Sequence, residues 1–249
     1  MIFDEELVTH IVSMTSVHIS QAIDMYLQAR DEALLKNPPY IWIQSRHKSI
    51  SSIIHSFSAL ESVVSETGHQ LFFEEDSYLY VPREKRNFAL RKVVSNWKYT
   101  SCLDKFHLIV EQISTKAAPL KLAAELMELN NLRNWLLHGF VYKATLLLEK
   151  KNEEKGTFTL VDREDSVKWS NKFPNTKFSA LDELDECDAK KALIISLSAI
   201  KLMYEYRQEP LVIISYYYGP HYHLVEDNDK NAETILEEYF AKASNKSQK

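Results

Sequence analysis

Glycine is scarce in this chain, which has four glycines among 249 residues. Nucleotide-binding folds with Gly-rich loops and all-β folds with many tight turns both need glycine, because it adopts positive φ freely. The sequence contains neither G-x-G-x-x-G nor G-x-x-x-x-G-K-[ST]. A dinucleotide-binding fold and a P-loop are therefore excluded.

Cysteines and long apolar runs are also few. The two cysteines, Cys102 and Cys187, lie far apart without C-x-x-C spacing, which favours a reducing cytosol without a structural zinc site. No segment approaches the roughly 20 apolar residues that span a membrane, and the acidic start MIFDEELVTHIVSM lacks the basic region of a signal peptide. We expect a cytoplasmic protein without a membrane partner or a cofactor.

Positive charge is not in excess, since the formal net charge is −5. Bulk electrostatic adhesion to nucleic acid is therefore disfavoured, and any RNA contact must come from a local patch. One such patch is the stretch PREKRNFALRKVVSNWKY, which mixes cations with aromatic residues. Cations beside stacking aromatics suit RNA, but a charged helix face with its aromatic residues in the core is the favoured interpretation. The candidate RNA-binding residues are Arg83, Arg86, Arg91 and Lys92.

Hydrophobic spacing predicts a mainly α chain forming one domain over residues 1–249. A long N-terminal helix is expected over 5–36, followed by a second helix that begins near Ser45 and ends at Thr67-Gly68, where glycine supplies a C-terminal cap. Further helices are predicted over residues 83–97, 101–113, 119–138, 189–206 and 232–243.

The pattern becomes β-rich after Gly139. Strands are predicted around residues 140–147 and 156–161, and the charged segment KNEEKG between them indicates a small hairpin. A strand is also expected over 211–218, in a C-terminal extension of residues 208–249. His221 and His223 form an H-x-H pair, for which a turn after Gly219-Pro220 is favoured over a metal-binding strand. No metal site is predicted.

The segment LRNWLLHG ends the helix predicted over 119–138. At 100° per residue, Asn130, Asn134 and His138 form one row along this helix, beside a broad arc of leucines that also includes Arg133. An Arg and a His on such an apolar helix are costly unless they are paired, lie in a cleft, or are covered by a second subunit.

These residue types suit RNA cleavage without a metal ion. Histidine transfers protons near neutral pH, arginine engages two phosphate oxygens with a charge it cannot lose, and asparagine can orient either group. Because one histidine cannot easily be both acid and base, a symmetric dimer with two copies of His138 is chemically attractive.

The segment Arg133-Asn134-Trp135-Leu136-Leu137-His138 resembles the R-N-x-x-x-H motif of the HEPN superfamily. The upstream segment SFSALESVV, which contains Glu61, is similar to an earlier core helix of that family. The resemblance covers residues 45–207 and treats the hairpin as an insertion in a HEPN-like helical bundle.

The resemblance implies a metal-independent endoribonuclease that acts at a homodimer interface and leaves a 2′,3′-cyclic phosphate. His138 would be the acid and base, Arg133 the phosphate ligand, Asn134 a positioning group and Glu61 an associated acidic residue. Family members often act as toxins or in defence against phage, which implies an antitoxin or another defence partner protein.

Alternatives remain for each of these residues. Arg133 and His138 are also the cations that a helix C-terminus favours, and Glu61 can be an ordinary solvated or paired residue. The competing functions are a non-catalytic HEPN-like scaffold for RNA or protein, and a helical adaptor in which the motif occurs by chance.

Overall fold

The computed structural model of the chain describes residues 14–35, 39–113, 119–138, 144–146, 148–152, 157–160, 167–169, 178–179, 184–215, 221–225 and 230–246. These residues are mainly helical, which confirms the predicted fold class at the level of a mainly α protein. None of the helices in these ranges is long and apolar enough to cross a membrane.

Seven helices make up most of the described chain: α1 Met14–Leu34, α2 Pro39–Phe72, α3 Phe88–Ser95, α4 Cys102–Ile113, α5 Leu120–His138, α6 Glu186–Arg207 and α7 Ala232–Lys246. Two short 3-10 turns, Arg83–Lys85 and Trp97–Tyr99, flank α3. The strands are β1 Ala144–Leu146, β2 Leu148–Asn152, β3 Thr157–Leu160, β4 Val167–Trp169, β5 Leu211–Ser215 and β6 His221–Val225.

Helices α1 and α2 form an antiparallel pair held by a row of serines on α2. Ser45 and Ser52 are buried and donate hydrogen bonds to the carbonyls of Ala29 and Ala22 on α1, at 2.9 and 2.7 Å. The hydroxyl of Ser49 donates to its own helix, to the Ser45 carbonyl at 3.0 Å. Each hydroxyl has a partner, so these polar groups are buried without a large desolvation penalty.

The core lies around α2 and α6. Helix α2 packs against α1, α4, α5 and α6, and α6 also contacts α1, α5 and α7. Asp185 caps the start of α6 by accepting from the Cys187 and Asp188 amides in a capping box. Fully buried large side chains come from several helices: Ile19, Ile23, Phe57, Leu60, Phe106, Leu126, Leu129 and Leu132.

The predicted boundaries of two helices are wrong. Helix α2 begins at Pro39, where a first-turn proline costs no hydrogen bond, and it continues through Gly68 to Phe72 instead of ending at the glycine. The helix predicted over 83–97 is broken, because the Asn87 side chain accepts from the Leu90 amide at 2.8 Å and starts the shorter α3 there. Helix α1 ends close to the predicted residue, while its predicted start at residue 5 lies outside the described residues. Helices α4, α5, α6 and α7 begin and end close to the predicted residues.

The strands pair antiparallel in three separate ladders, β1 with β4, β2 with β3 and β5 with β6. Most of the turn predicted between β2 and β3, residues 153–156, lies outside the described residues, and the hairpin stays a prediction. The backbone of His221 and His223 belongs to β6, paired with β5, so the predicted turn at these two residues is wrong.

Candidate functional site

Arg133 on α5 reaches across to α2 and forms an ion pair with Glu61. Its Nη2 donates to both carboxylate oxygens of Glu61, at 2.9 and 3.0 Å. Its Nη1 donates to the side-chain oxygen of Asn134 at 3.0 Å, and its Cζ lies 5.3 Å from the centre of the Phe57 ring. Contacts from two helices therefore fix the guanidinium in one orientation.

The Glu61–Arg133 pair is partly exposed. The side chain of Arg133 is 21% exposed and that of Glu61 36%. Hydrogen bonds between charged partners are stronger than neutral ones, while this degree of solvent contact weakens the Coulomb attraction. The Nε of Arg133 is buried and has no hydrogen-bond partner among the described residues. The charges of Glu61 and Arg133 balance each other. The hydrogen bonds to Glu61 and Asn134 already use much of the donor capacity of the guanidinium.

A cavity of about 400 Å³ opens beside this ion pair. Helices α2 and α5 form one wall, and the segment from the second 3-10 turn into α4 forms the other. The lining residues are Glu61, Val64, Ser65, Lys98, Thr100, Ser101, Cys102, Lys105, Asn130, Arg133 and Asn134.

The second wall is attached to α2 through Trp97. A Cβ added to Gly68 of α2 would lie 2.7 Å from Cη2 and 2.9 Å from Cε2 of the Trp97 ring, so the indole occupies the space that a side chain would fill. Trp97 also packs edge-on against Phe72, with the ring centres 5.4 Å apart. The Nζ of Lys105 lies 5.1 Å from the centre of the Trp97 ring. The absence of a side chain at Gly68 therefore allows Trp97 to pack closely on α2. Trp97 in turn holds Lys105 at the cavity.

The thiol of Cys102 lies in this wall and is held in its neutral form. Burial, followed by the nearby Glu61 carboxylate, raises the pKa of Cys102 from its usual 9.0 to about 12. Lys105 and Arg133 act in the opposite direction but do not reverse the effect. A thiol with such a pKa is a poor nucleophile at neutral pH.

The predicted RNA-binding residues of the basic stretch separate into two groups. Arg86 is only 7% exposed, and its guanidinium donates to the carbonyls of Phe72 and Val81, both at 2.8 Å. This burial corrects the expectation for Arg86, because a side chain committed to two backbone carbonyls holds the loop together and does not face an RNA phosphate. Arg83, Arg91 and Lys92 are exposed, although Arg91 also donates to the Arg86 carbonyl at 2.8 Å.

His138 is the last residue of α5. Its backbone lies one helical turn beyond Asn134, on the row that also contains Asn130. Its side chain lies outside the described part of the structure. Asn130 and Asn134, the two residues that precede His138 on this row, both line the cavity.

Two lysines of the cavity, Lys98 and Lys105, were not among the predicted site residues. Lys98 belongs to the basic stretch PREKRNFALRKVVSNWKY, but its spacing does not distinguish it from the other cations there. Lys105 has no motif around it, and it reaches the cavity only because α4 packs on α2. Among the described residues, no three or more His, Cys, Asp or Glu side chains cluster as a metal site would require.

Comparisons with protein-family models, with curated proteins and with solved structures find no match for this chain.

Proposed function

We propose that the protein is a metal-independent endoribonuclease of HEPN type. The observation that carries this proposal is the orientation of Arg133 by Glu61 and Asn134 at the wall of a cavity, on the helix that ends at His138. Glu61 and Arg133 are 72 residues apart in the chain, and both belong to the segments on which the HEPN resemblance rests. The HEPN-like bundle and its hairpin insertion are part of the same proposal.

The reaction is an attack of the ribose 2′-oxygen on the adjacent phosphorus, which breaks the bond from phosphorus to the 5′-oxygen. One imidazole accepts the proton of the 2′-hydroxyl, and a protonated imidazole donates a proton to the leaving 5′-oxygen. The products are a 2′,3′-cyclic phosphate and a 5′-hydroxyl. Arg133 stabilises the phosphorane charge, while Asn134 and Glu61 act as positioning residues by holding the guanidinium.

The two proton transfers require two imidazoles, which a homodimer with two copies of His138 provides. Helix α5 supports this arrangement because it carries exposed apolar side chains: Leu120 is 90% exposed, Met127 56% and Leu137 47%. A second copy of α5 packed parallel over these side chains would place the two copies of His138 close together. An antitoxin or other defence protein is the partner expected to restrain such an enzyme.

The decisive experiment is an RNA cleavage assay with and without EDTA. We expect cleavage to survive the chelator and the products to carry cyclic phosphate ends. His138→Ala is expected to reduce turnover by about 10²-fold or more, the usual scale for a lost general acid or base. His47 is an exposed histidine on α2, and His47→Ala is the matched control. Undiminished cleavage by folded His138→Ala, or cleavage that needs added Mg²⁺, contradicts the proposal.

A non-catalytic scaffold is the second candidate, and one observation favours it. Arg133 already gives hydrogen bonds to Glu61 and Asn134, so a phosphate must compete with a carboxylate for the guanidinium. A scaffold predicts that wild-type protein binds RNA or a protein partner without cleaving any RNA, and that His138→Ala leaves binding unchanged.

A further inference from the structure

The cavity beside Arg133 has a positive charge that its own residues do not neutralise. Glu61 and Arg133 balance each other, which leaves Lys98 and Lys105 as the remaining cations of the lining. Within the described part of the chain, the contacts of their ammonium groups are with aromatic rings: Lys98 Nζ lies 4.7 Å from the Tyr99 ring centre, and Lys105 Nζ 5.1 Å from that of Trp97. Two cations at a concave site that have no carboxylate partner among the residues described favour an anionic ligand.

An exposed aromatic residue, Tyr99, lies in the chain between two residues of the cavity lining. Tyr99 is 78% exposed, and its neighbours in the chain, Lys98 and Thr100, both line the cavity. Next to the two cations Lys98 and Lys105, this exposed ring offers a surface on which a base can stack. A free inorganic anion would use the lysines but not the ring.

The volume of the cavity is consistent with a ligand larger than a phosphate ion. About 400 Å³ lies within the range of roughly 300–1,000 Å³ that is usual for small-molecule sites. Lys105 is also held in place, because its ammonium rests on Trp97, and Trp97 is packed into the space left by Gly68. Such a fixed cation pays less conformational entropy on binding than a freely moving surface lysine.

Resting on the proposed ribonuclease function, we propose that Lys98, Tyr99 and Lys105 form a nucleotide subsite next to the reacting phosphate. Lys98 and Lys105 bind the neighbouring backbone phosphate, and Tyr99 stacks on the base of that nucleotide. Arg133 remains with Glu61 and faces the scissile phosphate from the opposite wall. The subsite positions the RNA strand and takes no part in proton transfer.

The experiment measures binding of a fluorescently labelled single-stranded RNA dodecamer at several salt concentrations. For single strands, log K falls with log salt with a slope of about 0.7 in magnitude per phosphate contact. Because Lys98 and Lys105 bind the same phosphate, Lys98→Gln with Lys105→Gln is expected to reduce the magnitude of the slope by about 0.7. Lys121 is a matched control, because it is 83% exposed and lies 12 residues before Arg133 on α5, roughly 18 Å away along the helix. Lys121→Gln is expected to leave both slope and affinity unchanged.

Tyr99 is tested separately from the charges. Tyr99→Ala is expected to weaken RNA binding by about tenfold or more, the usual effect of losing one stacked base, while Tyr99→Phe keeps the ring and is expected to bind as the wild type does. Inorganic phosphate serves as the competing small anion. If phosphate competes equally well in wild type and Tyr99→Ala, and Tyr99→Ala does not weaken RNA binding, the site takes small anions and the nucleotide subsite is wrong.

The outcomes separate this inference from the proposed function. RNA cleavage with an unchanged salt slope in the double lysine variant overturns the subsite and leaves the ribonuclease intact. RNA binding that depends on Lys98, Lys105 and Tyr99 without any cleavage supports the subsite and overturns the ribonuclease. Absence of RNA binding by the wild type overturns both. Circular dichroism establishes that each variant is folded, and Lys98→Arg with Lys105→Arg, which retains both charges, is expected to retain the slope.

Discussion

Gly68 lies inside α2, where alanine would ordinarily be the better residue. Replacing an interior helical glycine with alanine normally stabilises a helix by up to about 1 kcal/mol. Here the new Cβ would lie under 3 Å from several carbons of the Trp97 ring, whereas carbon atoms prefer a separation of about 3.5–4.0 Å. Because Cζ2 is the ring carbon nearest to the added Cβ, the indole would have to retreat by roughly 1.5 Å or more, and overpacking of this kind costs about 1–3 kcal/mol.

The clash therefore outweighs the helix propensity, and Gly68→Ala is expected to destabilise the protein by about 1 kcal/mol. For a chain of this size, that corresponds to a melting temperature lower by about 2–4 °C. In a Trp97→Leu background the obstructing ring is gone, and the same Gly68→Ala change is expected to become stabilising. The effect of one substitution thus changes sign with the identity of its neighbour.

The assay is a double-mutant cycle of urea unfolding followed by circular dichroism. The expected coupling between positions 68 and 97 is about 1–2 kcal/mol, from the two opposing effects above. Gly68→Ala that stabilises the wild-type background by the same amount as the Trp97→Leu background would show that the indole does not occupy this space, and the reasoning would be refuted.

Three further predictions concern charge and protonation. Glu61→Gln is expected to cost about 1 kcal/mol of stability, since it replaces partly exposed charge-assisted hydrogen bonds, yet to tighten RNA binding by removing a negative charge from the cavity; weaker RNA binding in the folded variant contradicts this. Burial and the adjacent His18 lower the pKa of His55 below its usual 6.5 in the folded protein. As the pH falls, the unfolded chain therefore protonates His55 before the folded chain does. The free energy of unfolding should then decrease as the pH drops from about 7 through 6.5 toward the folded pKa. His55→Gln should remove that part of the pH dependence in urea titrations, and an unchanged profile argues against it. Exposed Cys187 should react with iodoacetamide in the native protein, whereas Cys102, with a pKa of about 12, should react at a comparable rate only after unfolding; mass spectrometry of the labelled peptides distinguishes the two.

Helical periodicity was sufficient to predict most of the helices, because apolar residues at three- and four-residue spacing must face a common core. The prediction from periodicity failed where one residue type is compatible with two structural roles. Glycine at position 68 is a common helix stop, and only the ring of Trp97, 29 residues later, shows that it is an interior packing site. Periodicity places Asn87 inside a helix although asparagine is a strong N-cap. The hydrogen bond that its side chain accepts from the Leu90 amide divides the segment.

The candidate site shows a similar division. The motif on α5 could be found from local sequence, and the resemblance indicated Glu61, which the structure brings into contact with Arg133. The roles of these residues stay predictions. Arg86 and Lys105 could not be assigned from sequence, because each is a cation whose environment depends on distant packing: Arg86 turns inward to backbone carbonyls, and Lys105 turns toward the cavity.

The serine hydroxyls between α1 and α2 determine the axial register of these two helices. Sliding α1 by a fraction of one helical turn, which is about 5.4 Å, would separate Ser45 and Ser52 from the carbonyls of Ala29 and Ala22 and leave their buried hydroxyls without these partners. An apolar seam would tolerate such a shift more easily, because leucines one turn apart are interchangeable. Helix α1 carries none of the candidate site residues. Its hydrogen bonds to α2 nevertheless fix the axial position of α2, and with it the position of Glu61 relative to α5.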